Sequence, residues 1–101
     1  MTNNMQKIHS LLGIAMRAGK LVSGEDGTMI DLKKGKLNLV IVAEDASNNT
    51  KKLFKDKSSY RKINQIFFST KVELGLSIGK SPRAVIGIKD KNLSQKIIEL
   101  M

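Results

Sequence analysis

Leu37-Asn38-Leu39-Val40-Ile41-Val42-Ala43-Glu44-Asp45 is the stretch on which the reading of this chain turns. Its centre is an unbroken run of branched apolar residues, followed at once by two carboxylates and then by Ala46-Ser47-Asn48. A strand apolar on both faces has to be covered on both faces. That predicts a central strand of a mostly parallel sheet with helices above and below. Open α/β sheets place ligand sites beyond the carboxyl ends of their strands, so the polar cluster after Ala43 marks the end of interest.

Downstream of this strand, Ser47 reads as the N-cap of a helix carrying Thr50, Leu53, Phe54 and Lys57, with Lys51, Lys52 and Lys55 on its outer face. Ile66-Phe67-Phe68, within Asn64 to Ser69, reads as a second short buried strand. Thr70-Lys71-Val72-Glu73 has the form of a capping box, with Leu74 and Ile78 inward and Gly79 as terminator. Lys80-Ser81-Pro82-Arg83 is a polar, basic loop. Ala84 to Ile88 gives a third strand, and Leu93, Ile97 and Leu100 mark a final helix.

Upstream, Ile8, Leu11, Leu12, Ala15 and Met16 recur at steps of three and four, the stripe of a core-facing helix that Gly19 is placed to end. His9 lies off that stripe and is the chain's one histidine, so it reads as a surface residue. Leu21 and Val22 form a very short strand or extended link. Ser23-Gly24-Glu25-Asp26-Gly27 then opens a helix running to about Lys34, with Gly35 as its stop. Ser23 is positioned to cap it, and Glu25 and Asp26 suit the positive end of the helix dipole. Gly27 costs that helix ~1 kcal/mol relative to alanine. No repeat, linker or low-complexity segment interrupts the pattern. The expectation is therefore one domain over residues 1–101, an α/β/α three-layer sandwich around a small mixed, mostly parallel sheet of about four strands.

Composition narrows the function. Apolar residues make up 41% of the 101 residues, enough for a core. With no cysteine, a disulfide scaffold or thiolate metal site is out of reach, and a reducing, cytoplasmic setting is expected. The first twenty residues mix polar and apolar positions, which argues against a signal peptide or membrane span. Lysine plus arginine is 18 against 9 acids, a formal net charge of +9. Such an excess repels itself unless a polyanion compensates it, and nucleic acid is the leading candidate ahead of an anionic membrane surface.

Catalytic readings fare poorly. Glu44 and Asp45 could hold magnesium as in phosphoryl-transfer receivers, but Ser69 stands where a second strand would need its acid. The plainer reading is that both acids begin the next helix and favour its dipole. Ser23 to Gly27 has neither the spacing nor the terminal lysine of a P-loop. No nucleophile, base and orienting acid recur together, so no enzyme activity and no cofactor are expected. The aromatics are Phe54, Tyr60, Phe67 and Phe68, three of them at core positions, too few free rings for base stacking along a single strand. Many lysines and few free rings suit structured RNA held through phosphates and shape.

At this point the chain resembles a known family. Lys33-Lys34-Gly35-Lys36 running through Leu37 to Ala46 is similar to the signature of the kink-turn-binding ribosomal proteins, L-seven-Ae, L-thirty-e and their relatives. Ser69-Thr70-Lys71-Val72-Glu73-Leu74-Gly75 resembles that family's second motif, and Ile78-Gly79 through Ile88 its loop and last strand. Leu11 through Gly24 looks like a bacterial, YlxQ-type branch. The resemblance implies an α/β/α fold that binds kink-turn RNA, a sharply bent duplex with tandem sheared G·A pairs, and a possible place on the ribosome with ribosomal RNA.

By position, the family pattern Gly-x-Asn-Glu-x-x-Lys falls on Gly24, Asp26, Gly27 and Ile30, and only Gly24 matches. Asp26 accepts hydrogen bonds but cannot donate them, while Gly27 and Ile30 carry no charge. Two readings follow. In one, Lys33, Lys34 and Lys36, with Lys20 across the helix end, grip phosphates, while Ser23, Gly24, Glu25 and Asp26 face the G·A pairs and Lys80, Ser81 and Arg83 cover the bend. In the other, the same scaffold serves as a protein-interaction adaptor with little RNA specificity.

Overall fold

The sheet is built around the predicted central strand, whose four residues are all shut off from water. The structure, a computed structural model, describes residues 3–101. In chain order it contains α1 (Asn3–Arg17), β1 (Leu21–Ser23), α2 (Glu25–Lys33), β2 (Leu39–Val42), α3 (Asn48–Tyr60), β3 (Asn64–Phe67), α4 (Lys71–Ser77), β4 (Val85–Ile88) and α5 (Lys91–Leu100). Leu39, Val40, Ile41 and Val42 are each 0% exposed, so both pleat faces of β2 are covered. Burying side chains of this size stabilises the fold by roughly 1.5–3 kcal/mol each. Helices α2 and α3 cover one face, α1 and α5 cover the other, and α4 packs against α1.

The four strands run in the order β1-β4-β2-β3. β2 pairs with β3 in parallel, and β4 pairs antiparallel with both β1 and β2. Three strands therefore point one way and β4 alone points against them, which gives the mixed α/β sheet that the sequence implied, although two of its three pairings are antiparallel rather than most being parallel. Helix length explains the direction of each return. The 13 residues of α3 span about 20 Å, enough to carry the chain back along a strand and start β3 beside the beginning of β2. The 7 residues of α4 span only about 10 Å. That helix lies across the end of the sheet and delivers β4 to the end where β3 finished.

Most local signals in the sequence hold. Ser47 Oγ accepts from Thr50 N at 3.1 Å, and Thr70 Oγ1 accepts from Glu73 N at 3.2 Å. Gly19, Gly35 and Gly79 end their helices with positive φ. One signal is misplaced: Glu44 and Asp45 do not begin α3, which starts at Asn48, and Asp45 Oδ1 accepts instead from Lys71 N of α4 at 2.9 Å.

Three further expectations are corrected. Ser23 does not cap α2. It is the last residue of β1, and its hydroxyl accepts instead from Arg83 Nε at 3.1 Å. β3 is an edge strand and only half-buried, with Phe67 exposed under the Lys51 ammonium, 5.8 Å from the ring centroid. His9 is no surface residue. It is half-buried against Phe68, with ring centroids 5.0 Å apart, and it bridges α1 to the β3–α4 turn at Ser69 and to Ser77, the last residue of α4.

The hydrogen-bond chain through His9 assigns its tautomer. Ser77 Oγ donates to Glu73 O at 2.9 Å, so the Ser77 oxygen must accept from His9 Nδ1–H. His9 Nε2 is then the acceptor for the Ser69 hydroxyl at 3.1 Å. Ser69 carries φ 65 and also accepts at its carbonyl from Glu44 N, 2.8 Å away. His9 thus braces the left-handed residue that turns the chain from β3 into α4.

One contact sets the position of the loop after α4. A Cβ placed on Gly75 would lie 2.3 Å from Ser81 O and 2.9 Å from Lys80 O, both backbone atoms. Only glycine lets residues 80–82 pack this closely on the helix. Gly75→Ala should cost about 1–3 kcal/mol by overpacking, and should displace the 80–83 loop, which chemical shifts of Ser81 to Arg83 would report.

A second expectation concerns pH. Burial lowers the His9 pKa below 6.5, against a smaller upward pull from Glu73. The neutral ring is thus favoured in the folded state. Its contribution is complete above the unfolded value and is lost as pH falls through the folded one. The loss of urea stability between about pH 7.5 and about pH 5 should be smaller in His9→Gln than in the wild type. An equal loss in both proteins would show that His9 is not the group responsible.

Candidate nucleic-acid interface

β1 and β4 meet at the end of the sheet where β1 hands over to α2, and a cleft of about 550 Å³ opens there. One wall is Ser23, Gly24, Glu25, Asp26 and Gly27; the other is Lys71 with Pro82, Arg83 and Ala84. The two are stitched together. Gly24 N donates to Val85 O at 2.9 Å and Arg83 Nε donates to Ser23 Oγ at 3.1 Å, while within the second wall Arg83 N donates to Lys71 O at 3.0 Å.

The first wall is the bare amino end of a helix. Gly24 is the N-cap residue of α2, with φ 89 and ψ 157 and no side-chain cap hydrogen bond. This backbone region is essentially reserved for glycine, so any other residue would be strained there. No heavy atom lies within 4 Å of where a Cβ would sit, so the peptide is open to an incoming group. The first bond that closes the helix is Thr28 N to Gly24 O, 3.1 Å. The N–H groups ahead of it, on Glu25, Asp26 and Gly27, are the orphan donors of the first turn and sit at the positive end of the dipole.

The acids on this turn differ in their engagement. Glu25 Oε1 accepts from the Thr50 hydroxyl at 2.8 Å, and Thr50 accepts from Ser47 Oγ at 2.9 Å, a relay that pins α2 to the start of α3. Asp26 is exposed at the cleft. In the facing wall, Arg83 Nη1 donates to Ser81 Oγ at 2.8 Å and to Ser81 O at 3.2 Å. The guanidinium is held by its own loop and by β1, in an orientation set before any ligand arrives. Chemically the cleft offers backbone donors, a carboxylate acceptor and two cations. That set suits the edges of bases flanked by phosphates better than phosphate alone.

The residues singled out from sequence fall at two ends of the molecule. Ser23, Gly24, Glu25, Asp26 and Arg83 share the cleft. Ser81 stands beside it through its bonds to Arg83, and exposed Lys80 is fixed on the same loop by its N–H to Gly75 O at 2.9 Å. Lys33 ends α2 and Lys34 and Lys36 follow it, about 13 Å along the helix from the cleft. Lys20 lies at that far end too: its carbonyl accepts from Lys89 N at 2.8 Å, and Lys89 Nζ pairs with Asp31 of α2 at 3.5 Å. A single cationic rim beside Gly24 is therefore not what the chain builds. Lys71 was missed by the sequence reading, although its place at the start of a capping box following a strand end could have suggested it.

A sequence model of the ribosomal protein L7Ae/L30e/S12e/Gadd45 family matches residues 6–98. Two curated relatives carry the name RNA-binding protein YlxQ. That of Enterococcus faecium is 47% identical over 98 residues, 97% of this chain and 94% of the relative. That of Bacillus subtilis (strain 168) is 41% identical over 91 residues, 90% of this chain and 91% of the relative. These are the names of RNA-binding proteins, not of enzymes. Among solved structures, a protein of unknown function from Bacillus halodurans C superposes with a TM-score of 0.90 at 39% identity, covering 93% of this chain and 95% of that one. A Giardia lamblia 15.5kD RNA binding protein superposes with a TM-score of 0.80 at 19% identity, over 99% of this chain and 87% of that one. That second likeness speaks for the fold alone. By the extent of the family match and of both curated relatives, the chain belongs to the ribosomal protein L7Ae/L30e/S12e/Gadd45 family.

Proposed function

We propose that this protein binds structured RNA, and that its preferred form is a kink-turn with sheared G·A pairs seated in the cleft at Gly24. The observation that carries the reading is the uncapped first turn of α2 meeting the Arg83 loop in one cleft. A regular A-form duplex hides its major-groove base edges, and a sharp bend exposes them. Gly24 lets backbone approach those edges, and the orphan N–H groups of Glu25 to Gly27 donate to base acceptors. The Asp26 carboxylate accepts from exocyclic amines. Arg83 and Lys71 hold phosphates at the bend. Lys20, Lys33, Lys34 and Lys36 are proposed as phosphate contacts outside the cleft, insensitive to sequence. Binding of this kind selects the bent RNA from an ensemble that includes straighter forms. A ribosomal RNA target, and with it a place on the ribosome, fits the family.

A second reading, a protein-interaction adaptor, is favoured by one feature. Ile30, where the family pattern has a lysine, is a large apolar residue 52% exposed on α2.

A gel shift separates the two. A kink-turn with intact G·A pairs should bind at least about tenfold more tightly than the same RNA with those pairs replaced, as expected for 1–3 kcal/mol of base readout. Equal affinity for both RNAs would remove the specific reading and leave the adaptor. Arg83→Ala should weaken the kink-turn complex by about tenfold and affect the control RNA less. Thermal melting of the free variant would show whether the loop itself has come loose.

A further inference from the structure

The polar pocket at the opposite end of the sheet is the feature that the cleft does not account for. It lies between α5 and the starts of β2 and β3, has a volume of about 220 Å³, and is lined by Asn38, Lys62, Asn64, Lys91 and Ser94 among others. From Asn38 to Ala43 the central strand makes five steps, so the pocket is about 17 Å from the cleft end.

Ser94 makes this pocket unusual. It is 3% exposed, and its Oγ is buried with no hydrogen-bond partner among the described residues. A buried hydroxyl left unpaired costs about 1–3 kcal/mol, so its presence in a cavity lined by cations points to a ligand. The surroundings specify the ligand's sign. Lys62 sits at φ 58 directly after α3, and Lys91 opens α5, whose first turn faces the same pocket. Asp90, the adjacent carboxylate, is engaged in capping, with its Oδ2 accepting from Leu93 N at 2.8 Å. The Asn38 amide is held by donating to Lys89 O at 2.7 Å. Two lysines, a buried hydroxyl without a partner among the described residues and the first turn of α5 line one small space.

We propose that this pocket holds a phosphate group of an RNA backbone, as a second contact separate from the cleft. A polymer is favoured over a lone ion because Lys20, Lys33, Lys34 and Lys36 extend the same positive end beyond the pocket. The inference rests on RNA binding as proposed above, though not on its kink-turn selectivity. The arrangement gives each molecule two RNA-contacting ends, one that reads bases and one that grips backbone.

The test combines two variants with two probes, RNA and inorganic phosphate. Lys62→Asn and Lys91→Gln together remove both charges, and asparagine tolerates the left-handed backbone at position 62. The double variant should flatten the slope of log affinity against log salt by about one to two units for kink-turn and control RNA alike. Their affinity ratio should stay the same. Ser94→Ala should raise the melting temperature of the free protein, because it removes an unpaired buried hydroxyl, and at the same time weaken RNA binding. In amide spectra, Ser94 and Lys62 should respond both to inorganic phosphate and to RNA. An unchanged salt slope overturns the inference. So does a response to inorganic phosphate without one to RNA, which would mean an adventitious ion only. Absence of kink-turn selectivity in the wild type, with the slope still flattened in the double variant, would sink the cleft reading and leave this one standing. Retained selectivity with an unchanged slope would do the reverse.

Discussion

Complete exclusion of water from Leu39 to Val42 is the constraint from which the architecture follows. A strand apolar on both faces needs a helical layer on each side, and a strand paired at both edges needs neighbours whose ends line up with its own. The register with β3 and β4 meets the second need: Leu39 stands opposite Asn64 and Ile88, and Val42 opposite Phe67 and Val85. All loops are thereby forced to one of two ends. Gly24, Lys71 and Arg83 gather at one, and Lys20, Lys36, Lys62 and Lys91 at the other.

Within the cleft, the acids that seem out of place in a basic protein become intelligible. A site for phosphate alone would be weakened by Glu25 and Asp26. Base edges present amines as well as carbonyl and ring acceptors, and a mixed surface of N–H donors and a carboxylate can meet both. Glu25 has a structural task besides, since its carboxylate takes the Thr50 hydroxyl and ties α2 to α3. Arg83 is similarly divided, bracing the loop through Ser23 and Ser81 before it meets any ligand. Groups fixed in this way lose little freedom on binding, which favours affinity.

What could be read from sequence was local. The buried run of β2, the caps at Ser47 and Thr70 and the glycine stops are each decided by a few neighbouring residues, so pattern and chemistry sufficed. The misreadings have one origin. Ser23 has the chemistry of a cap, but its partner is Arg83, sixty positions away in the chain. His9 falls off the apolar stripe of α1, yet Ser69 and Ser77 complete a hydrogen-bonded bridge around it that no local spacing announces. Phe67 looked buried by composition and lies on an edge strand, a fact fixed by strand order. The candidate site was half legible for the same reason. The helix opening and the basic loop were visible as motifs, but the separation of Lys33, Lys34 and Lys36 from Gly24 depends on which end of α2 each occupies.

That separation changes how the net charge acts. In the cleft, Glu25 and Asp26 offset Lys71 and Arg83, so the formal charge there cancels and the excess of +9 resides elsewhere. At physiological salt the screening length is about 8 Å, roughly half of the ~17 Å that the central strand puts between the two ends. Charges at the far end therefore contribute little to the potential felt by a base in the cleft. In the complex proposed above, discrimination between RNAs is left to hydrogen-bond geometry around Gly24, while the lysines set how strongly any RNA is held and how steeply that grip falls with salt. A fold that kept these two properties on opposite ends of one strand could alter its general affinity without disturbing what it recognises.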